Sequence, residues 1–199
     1  MYRLTACTYL LLSGIVLMSN NLDAAPSSKE RALFSFQDQK SARAWKTVND
    51  GVMGGVSEGR AQVTDNGALK FYGKLSLKNN GGFASVRCQP QDLELKSGDI
   101  LSVRVRGDGR QYYLNLYLPT RRIAYSWRAA MQTKKGEWME IKIPLKDFHA
   151  TWFGRKLPNA GTVNASKVNA IGFMLSDKKE GPFNLEIDHV KVITAETEN

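Results

Sequence analysis

The sequence predicts an all-β chain folded as a two-sheet antiparallel sandwich. Apolar and polar residues alternate with a period of two in several short segments, Gly, Asp, Asn and Pro turns separate those segments, and no stretch sustains a helical period. A period of two sends successive side chains to opposite faces, so each strand buries one face and wets the other. Without helices to cover them, the apolar faces are satisfied only by a second sheet.

Taken in order, residues 37–45 are compatible with a short helix, and residues 69–72 and 83–88 read as strands. In residues 101–106, Leu101, Val103 and Val105 share one face while Ser102, Arg104 and Arg106 share the other. In residues 112–118 the split is Tyr112, Leu114, Leu116 and Leu118 against Tyr113, Asn115 and Tyr117. Further strands are expected over residues 123–131, 139–143 and 171–175. The last segment, residues 183–193, changes phase: Phe183, Leu185 and Ile187 fall on one face, Val190 and Val192 on the other. A bulge at Asp188 or His189 restores a common buried face.

A chain of 199 residues with 42% hydrophobic content fits one domain with a continuous core. Arg3 followed by an apolar run to Met18, then polar residues and Ala24-Ala25, has the layout of a secretory signal peptide over residues 1–25. The run is shorter than the roughly 20 residues that span a bilayer, so cleavage and export, to a periplasm or the exterior, are expected rather than anchoring. Residues 26–32 are then a polar leader, residues 33–193 the domain and residues 194–199 a polar tail. Cys7 would leave with the signal, so Cys88 has no partner for an internal disulfide and reads as a small buried hydrophobe. The net charge of +9 survives the cut, because Arg3 and Asp23 leave together. Such a balance favours an anionic partner.

Two glycine-rich loops stand out. The first contains Asn49, Asp50, Gly51, Gly54 and Gly55, the second Asn80, Gly81 and Gly82, and each runs into a strand-like segment. Glycines at this density mark turns or close backbone approach, with Asn49 and Asp50 able to hydrogen-bond nearby backbone. The first loop lacks the Gly-Lys-Ser/Thr ending of a P-loop and the Gly-x-Gly-x-x-Gly of a dinucleotide site, which excludes those modes of nucleotide binding. His149 and His189 neighbour no nucleophile motif, so no catalytic residue, cofactor or metal site is expected. A weak hard-cation reading would draw on Asp50, Glu186 or Asp188.

The best candidate binding face is basic and aromatic. Arg104, Arg106, Arg110, Arg121, Arg122, Arg128, Lys134 and Lys135 are opposed only by Asp108, with Tyr113, Tyr117, Tyr125 and Trp127 interleaved. If Gly107-Asp108-Gly109 turns a hairpin, Arg104 and Arg106 lie beside Tyr113, Asn115 and Tyr117, with Arg128 near by. Guanidinium groups beside aromatic rings suit a sugar, a phosphate or an acidic protein surface. Nucleic acid is not expected of an exported chain, although the composition would suit it.

The two loops, together with Arg106-Gly107-Asp108-Gly109-Arg110, residues 138–144 and residues 181–188, resemble the complex I intermediate-associated protein 30 family. The resemblance runs from about Leu33 to Ile193 and implies a galactose-binding-like jelly-roll sandwich. It also implies a non-enzymatic assembly module acting through protein contacts, since mitochondrial members of the family assist assembly of respiratory complex I. A membrane-associated partner is compatible with that role. A carbohydrate-binding module of the cell envelope is the alternative that the fold and the aromatic face suggest.

Overall fold

The computed structural model describes residues 28–195; the signal-peptide reading of residues 1–25 lies outside them. The strands, numbered in chain order, are β1 (Ser28–Ser35), β2 (Trp45–Asn49), β3 (Glu58–Val63), β4 (Leu69–Leu75), β5 (Ala84–Cys88), β6 (Ile100–Arg106), β7 (Gln111–Tyr117), β8 (Tyr125–Gln132), β9 (Trp138–Pro144), β10 (His149–Trp152), β11 (Arg155–Lys156), β12 (Ala170–Leu175) and β13 (Gly181–Ala195). They form two antiparallel sheets. One has six strands in the order β3-β4-β13-β6-β9, with β1 also paired to β13; the other has seven in the order β11-β10-β8-β7-β12-β5-β2. A short 3-10 helix, Gln39–Ala44, links β1 to β2.

The alternation in the sequence becomes the two inner faces. Leu101, Val103 and Val105 of the six-stranded sheet and Tyr112, Leu114 and Leu116 of the seven-stranded one are fully buried in a single core. Phe34 on β1 meets Trp45 on β2 at 5.1 Å between ring centroids, and Trp45 stacks at 5.9 Å on Phe173 of β12. Each such ring contributes about 1.5–3 kcal/mol through removal from water. The pairing of β13 with β6 shifts register between Ile187 and His189, and this bulge keeps Phe183, Leu185, Ile187, Val190 and Val192 all buried.

Two expectations change. Residues 28–32, expected as leader, pair as the first part of β1 with β13, which itself continues through Thr194 to Ala195. Lys29 and Glu30 remain exposed, so the leader joins the sheet without joining the core. More consequentially, Gly107-Asp108-Gly109 does not turn a hairpin. It carries the chain from β6 in one sheet to β7 in the other. Asp108 fixes the crossing by accepting hydrogen bonds from the Arg110 amide at 3.1 Å, the Tyr112 hydroxyl at 3.0 Å and the Asn184 amide at 2.9 Å.

Candidate functional site

Because β6 and β7 lie in different sheets, the basic and aromatic face splits into two surfaces on opposite sides of the sandwich. Arg104 and Arg106 are on the outer face of the six-stranded sheet; Tyr113, Tyr117 and Arg128 are on the outer face of the seven-stranded one. Placing all five on one face is therefore corrected.

The arginines of the six-stranded sheet are neutralised. Arg104 pairs with Asp188 at 3.2 Å and Arg106 forms two bonds to one carboxylate oxygen of Glu186, at 3.2 and 2.5 Å. Both guanidinium groups also lie over the Trp138 ring, at 5.2 and 4.8 Å. His189 has Asp188 at 2.8 Å from Nδ1 and Glu140 at 3.3 Å from Nε2. The nearby Ser102 hydroxyl donates to Glu140 at 2.5 Å instead of to the imidazole, so this cluster holds no histidine-activated nucleophile.

Arg110 belongs to neither surface. It forms a two-pronged pair with Asp177, at 2.9 and 2.6 Å, and donates to the carbonyls of Lys179 and Pro182, clamping the turn before β13. Burial works to raise the Asp177 pKa, but the Arg110 hydrogen bonds, the Lys179 amide and the neighbouring positive charges bring it below the ordinary carboxylate value.

The glycine-rich loops are organised around one carboxylate. Asp50 is 1% exposed and accepts from the Ser57 amide at 2.8 Å, the Ser57 hydroxyl at 2.6 Å, the Gly82 amide at 2.6 Å and the Phe83 amide at 3.3 Å. Burial works to raise its pKa; hydrogen bonds from Ser57, Gly82 and Phe83 outweigh burial and leave it lowered. The glycines follow from this. A Cβ on Gly55 would sit 2.3 Å from Asp50 Cγ, and one on Gly81 would sit 2.6 Å from Asp50 Oδ2, so close approach to the carboxylate demands glycine at both. Gly51 and Gly54 lie in and after the 3-10 turn Asp50–Met53, Asn80 takes a left-handed φ of 57°, and Asn49 donates to the Gly59 carbonyl at 3.1 Å. Asp50 is thus committed to the backbone, as Glu186 and Asp188 are to arginines. Among the described residues no group of three or more His, Cys, Asp or Glu side chains is placed to hold a metal ion.

The outer face of the seven-stranded sheet has a different character. The Arg128 guanidinium lies 4.9 Å over the Tyr113 ring and the Arg87 guanidinium 4.4 Å over the Tyr117 ring. Neither has a carboxylate within 4.0 Å among the described residues; Arg128 instead donates through Nε to the Thr151 hydroxyl at 3.3 Å. Burial holds the Arg128 pKa below its ordinary value, although a guanidinium keeps its proton in any protein setting. Between the stacks lies Asn115, fully buried, which donates to the Tyr117 hydroxyl at 3.0 Å while its Oδ1 finds no donor among the described residues. Arg87 Nε is likewise buried without an acceptor among them. Gly172, paired with Asn115 on one side and Arg87 on the other, leaves room for the stack: a Cβ there would sit 3.0 Å from Arg87 Cγ and 3.1 Å from Tyr117 Cε2. Arg87 was visible in the sequence only as an outward position of its strand. Its place beside Tyr117 depends on the strand order β7-β12-β5, for which the sequence carries no signal.

The model for the family described as Complex I intermediate-associated protein 30 matches residues 34–187. This chain belongs to that family. Complex I intermediate-associated protein 30, mitochondrial, from Mus musculus is 31% identical over 82% of this chain and 56% of its own length. The Drosophila melanogaster protein of the same name is 27% identical over 79% of this chain and 61% of its own. The chain therefore spans somewhat over half the length of the curated relatives it matches. These relatives are named as mitochondrial, which overturns the expectation of an exported, periplasmic or secreted protein. Export therefore no longer counts against nucleic acid as a partner. In fold, the chain resembles a family 11 carbohydrate-binding module from Clostridium thermocellum, solved with a mixed-linked tetrasaccharide. The TM-score is 0.64 at 16% identity, over 85% of this chain and 98% of that one. An agarase matches with a TM-score of 0.57 at 14% identity, over 85% of this chain and 25% of its own. At such identities the likeness establishes the sandwich, including its galactose-binding-like class, and nothing about ligands.

Proposed function

We propose that this family member is a non-catalytic recognition module that holds an acidic segment of a partner protein against the outer face of the seven-stranded sheet. The partner is a protein of complex I assembly intermediates, as the family's name suggests. One observation carries the reading. Among the described residues Arg87 and Arg128 have no carboxylate partner and the buried Arg87 Nε has no acceptor, whereas Arg104 and Arg106 on the opposite face are already paired. Planar cations held on tyrosines are preorganised for carboxylates, and buried polar atoms without partners normally find one.

The same face favours a second reading, because Tyr113 and Tyr117 are partly exposed rings, and an aromatic ring with a polar handle suits the surface of a sugar. The charge-led reading ranks first since the guanidinium groups lie over the ring faces on which a pyranose would stack. Affinity capture with the full chain and with Arg87→Ala decides between the readings. Loss of a protein partner, with strong weakening of wild-type capture by salt, supports the acidic-segment reading. Retention on a soluble β-glucan that survives salt supports the sugar reading. Unchanged protein capture by Arg87→Ala removes the face from consideration.

A further inference from the structure

At the edge of the seven-stranded sheet, two adjoining loops carry an apolar tip that the recognition face does not use. Ile123 is 78% exposed, Trp152 51% and Phe153 47%, and the Trp152 and Phe153 rings meet edge to face at 5.4 Å. The tip is built, not frayed. Trp152 pairs with Tyr125 at the end of the β8-β10 ladder, the Phe153 amide donates to the Ala124 carbonyl at 3.1 Å, and both Ala124 and Phe153 take left-handed φ values, 56° and 45°. Exposed Arg121, Arg122, Arg155 and Lys156 flank it, and no acidic residue occurs between Leu118 and Tyr125 or between His149 and Ala160. His149 at the base of the hairpin registers this field: burial, then Lys156 and Arg128, lower its pKa.

We infer that this tip docks on an anionic lipid bilayer, with Trp152, Phe153 and Ile123 entering the interface and the four cations lying among the headgroups. Charge complementarity selects the occupant. A protein groove would accommodate the apolar residues alone, but an indole, a phenyl ring and an isoleucine ringed by unopposed cations match the aromatic and basic anchors of interfacial proteins. The inference concerns a separate surface and does not depend on the partner bound by the sheet face.

Sedimentation of the full chain with phosphatidylcholine vesicles, with and without an anionic phospholipid, tests it. Binding is expected only to the anionic vesicles, reduced roughly fivefold for each cation removed, so by at least about 25-fold in Arg121→Glu/Arg122→Glu. Phe153→Asn keeps a residue tolerant of left-handed φ and removes the ring; it should reduce binding several-fold with an unchanged thermal transition. Brominated lipids should quench wild-type fluorescence, and Trp152→Phe should abolish that quenching. No binding to anionic vesicles overturns the inference. So does vesicle binding that Phe153→Asn leaves intact, which would be surface adsorption, and so does retention on polyglutamate but not on vesicles, which would assign the tip to an acidic protein.

Discussion

Replacing Asp50 by Ala is expected to unlock both glycine-rich loops at once. The carboxylate accepts from the amides of Ser57 and Gly82 at 2.8 and 2.6 Å and, less closely, from Phe83 at 3.3 Å. The Ser57 hydroxyl has the Ser76 carbonyl at 3.1 Å as an alternative acceptor and is left out of the sum. A hydrogen bond to a charged group contributes about 1.5–3 kcal/mol, so two close amides place the loss at about 3–6 kcal/mol. Against a total stability of about 5–15 kcal/mol, that lowers the melting temperature by on the order of 10 °C. Thermal and urea unfolding followed by circular dichroism measure it. The pH dependence gives a second reading of the same variant. The folded-state pKa of Asp50 lies below its unfolded value of about 3.9. Its contribution is therefore fully present above that value and is lost as pH falls through the folded pKa, so wild type and Asp50→Ala should converge in acid. A loss under about 1 kcal/mol, or a gap that persists in acid, would show that something other than Asp50 holds the loops.

Three further outcomes are expected. Arg110→Ala strands Asp177, whose side chain is 7% exposed, and should destabilise by about 3–5 kcal/mol in denaturant titration without any direct effect on the recognition face. Cys88, 4% exposed and accepting from the Ile171 amide through Sγ at 3.1 Å, has its thiol pKa raised by burial; mass spectrometry should find it alkylated by iodoacetamide only after unfolding. Arg104→Ala/Arg106→Ala should leave partner capture unchanged, because those cations are already paired and face away from the seven-stranded sheet.

Local physics made much of this fold legible and global arrangement limited the rest. Alternation in residues 101–106, 112–118 and 171–175 identified β6, β7 and β12, and the phase change in residues 183–193 located the bulge, because burial of one face leaves its period in the chain. The two-residue β11 is too short to show that period, and the outer-edge strand β3 alternates exposed Glu58, Arg60 and Gln62 with Gly59, Ala61 and Val63, whose small side chains at two of three inward positions leave the apolar signal weak. Whether Gly107-Asp108-Gly109 turns a hairpin is not legible in the sequence, for a different reason. A tight turn specifies a change of direction, not the sheet that the next strand joins, and here Asp108 directs the chain across the sandwich by bonding Tyr112 and Asn184. That single crossing separated Arg104 and Arg106 from Tyr113 and Tyr117, and the order β7-β12-β5 then brings Arg87 beside Tyr117. The glycine-rich loops were recognisable as turns, but their common dependence on Asp50 emerges only once Ser57 and Gly82 converge on one carboxylate.

The recognition face is tested most directly by placing a photocrosslinking residue at position 113 or 117 of the full chain and, in parallel, at position 104, with adducts identified by mass spectrometry from the native compartment. The account predicts crosslinks from Tyr113 and Tyr117 to an acidic stretch of a partner protein and none to that partner from Arg104. The same partner captured from Arg104, with nothing from the two tyrosine positions, would contradict it.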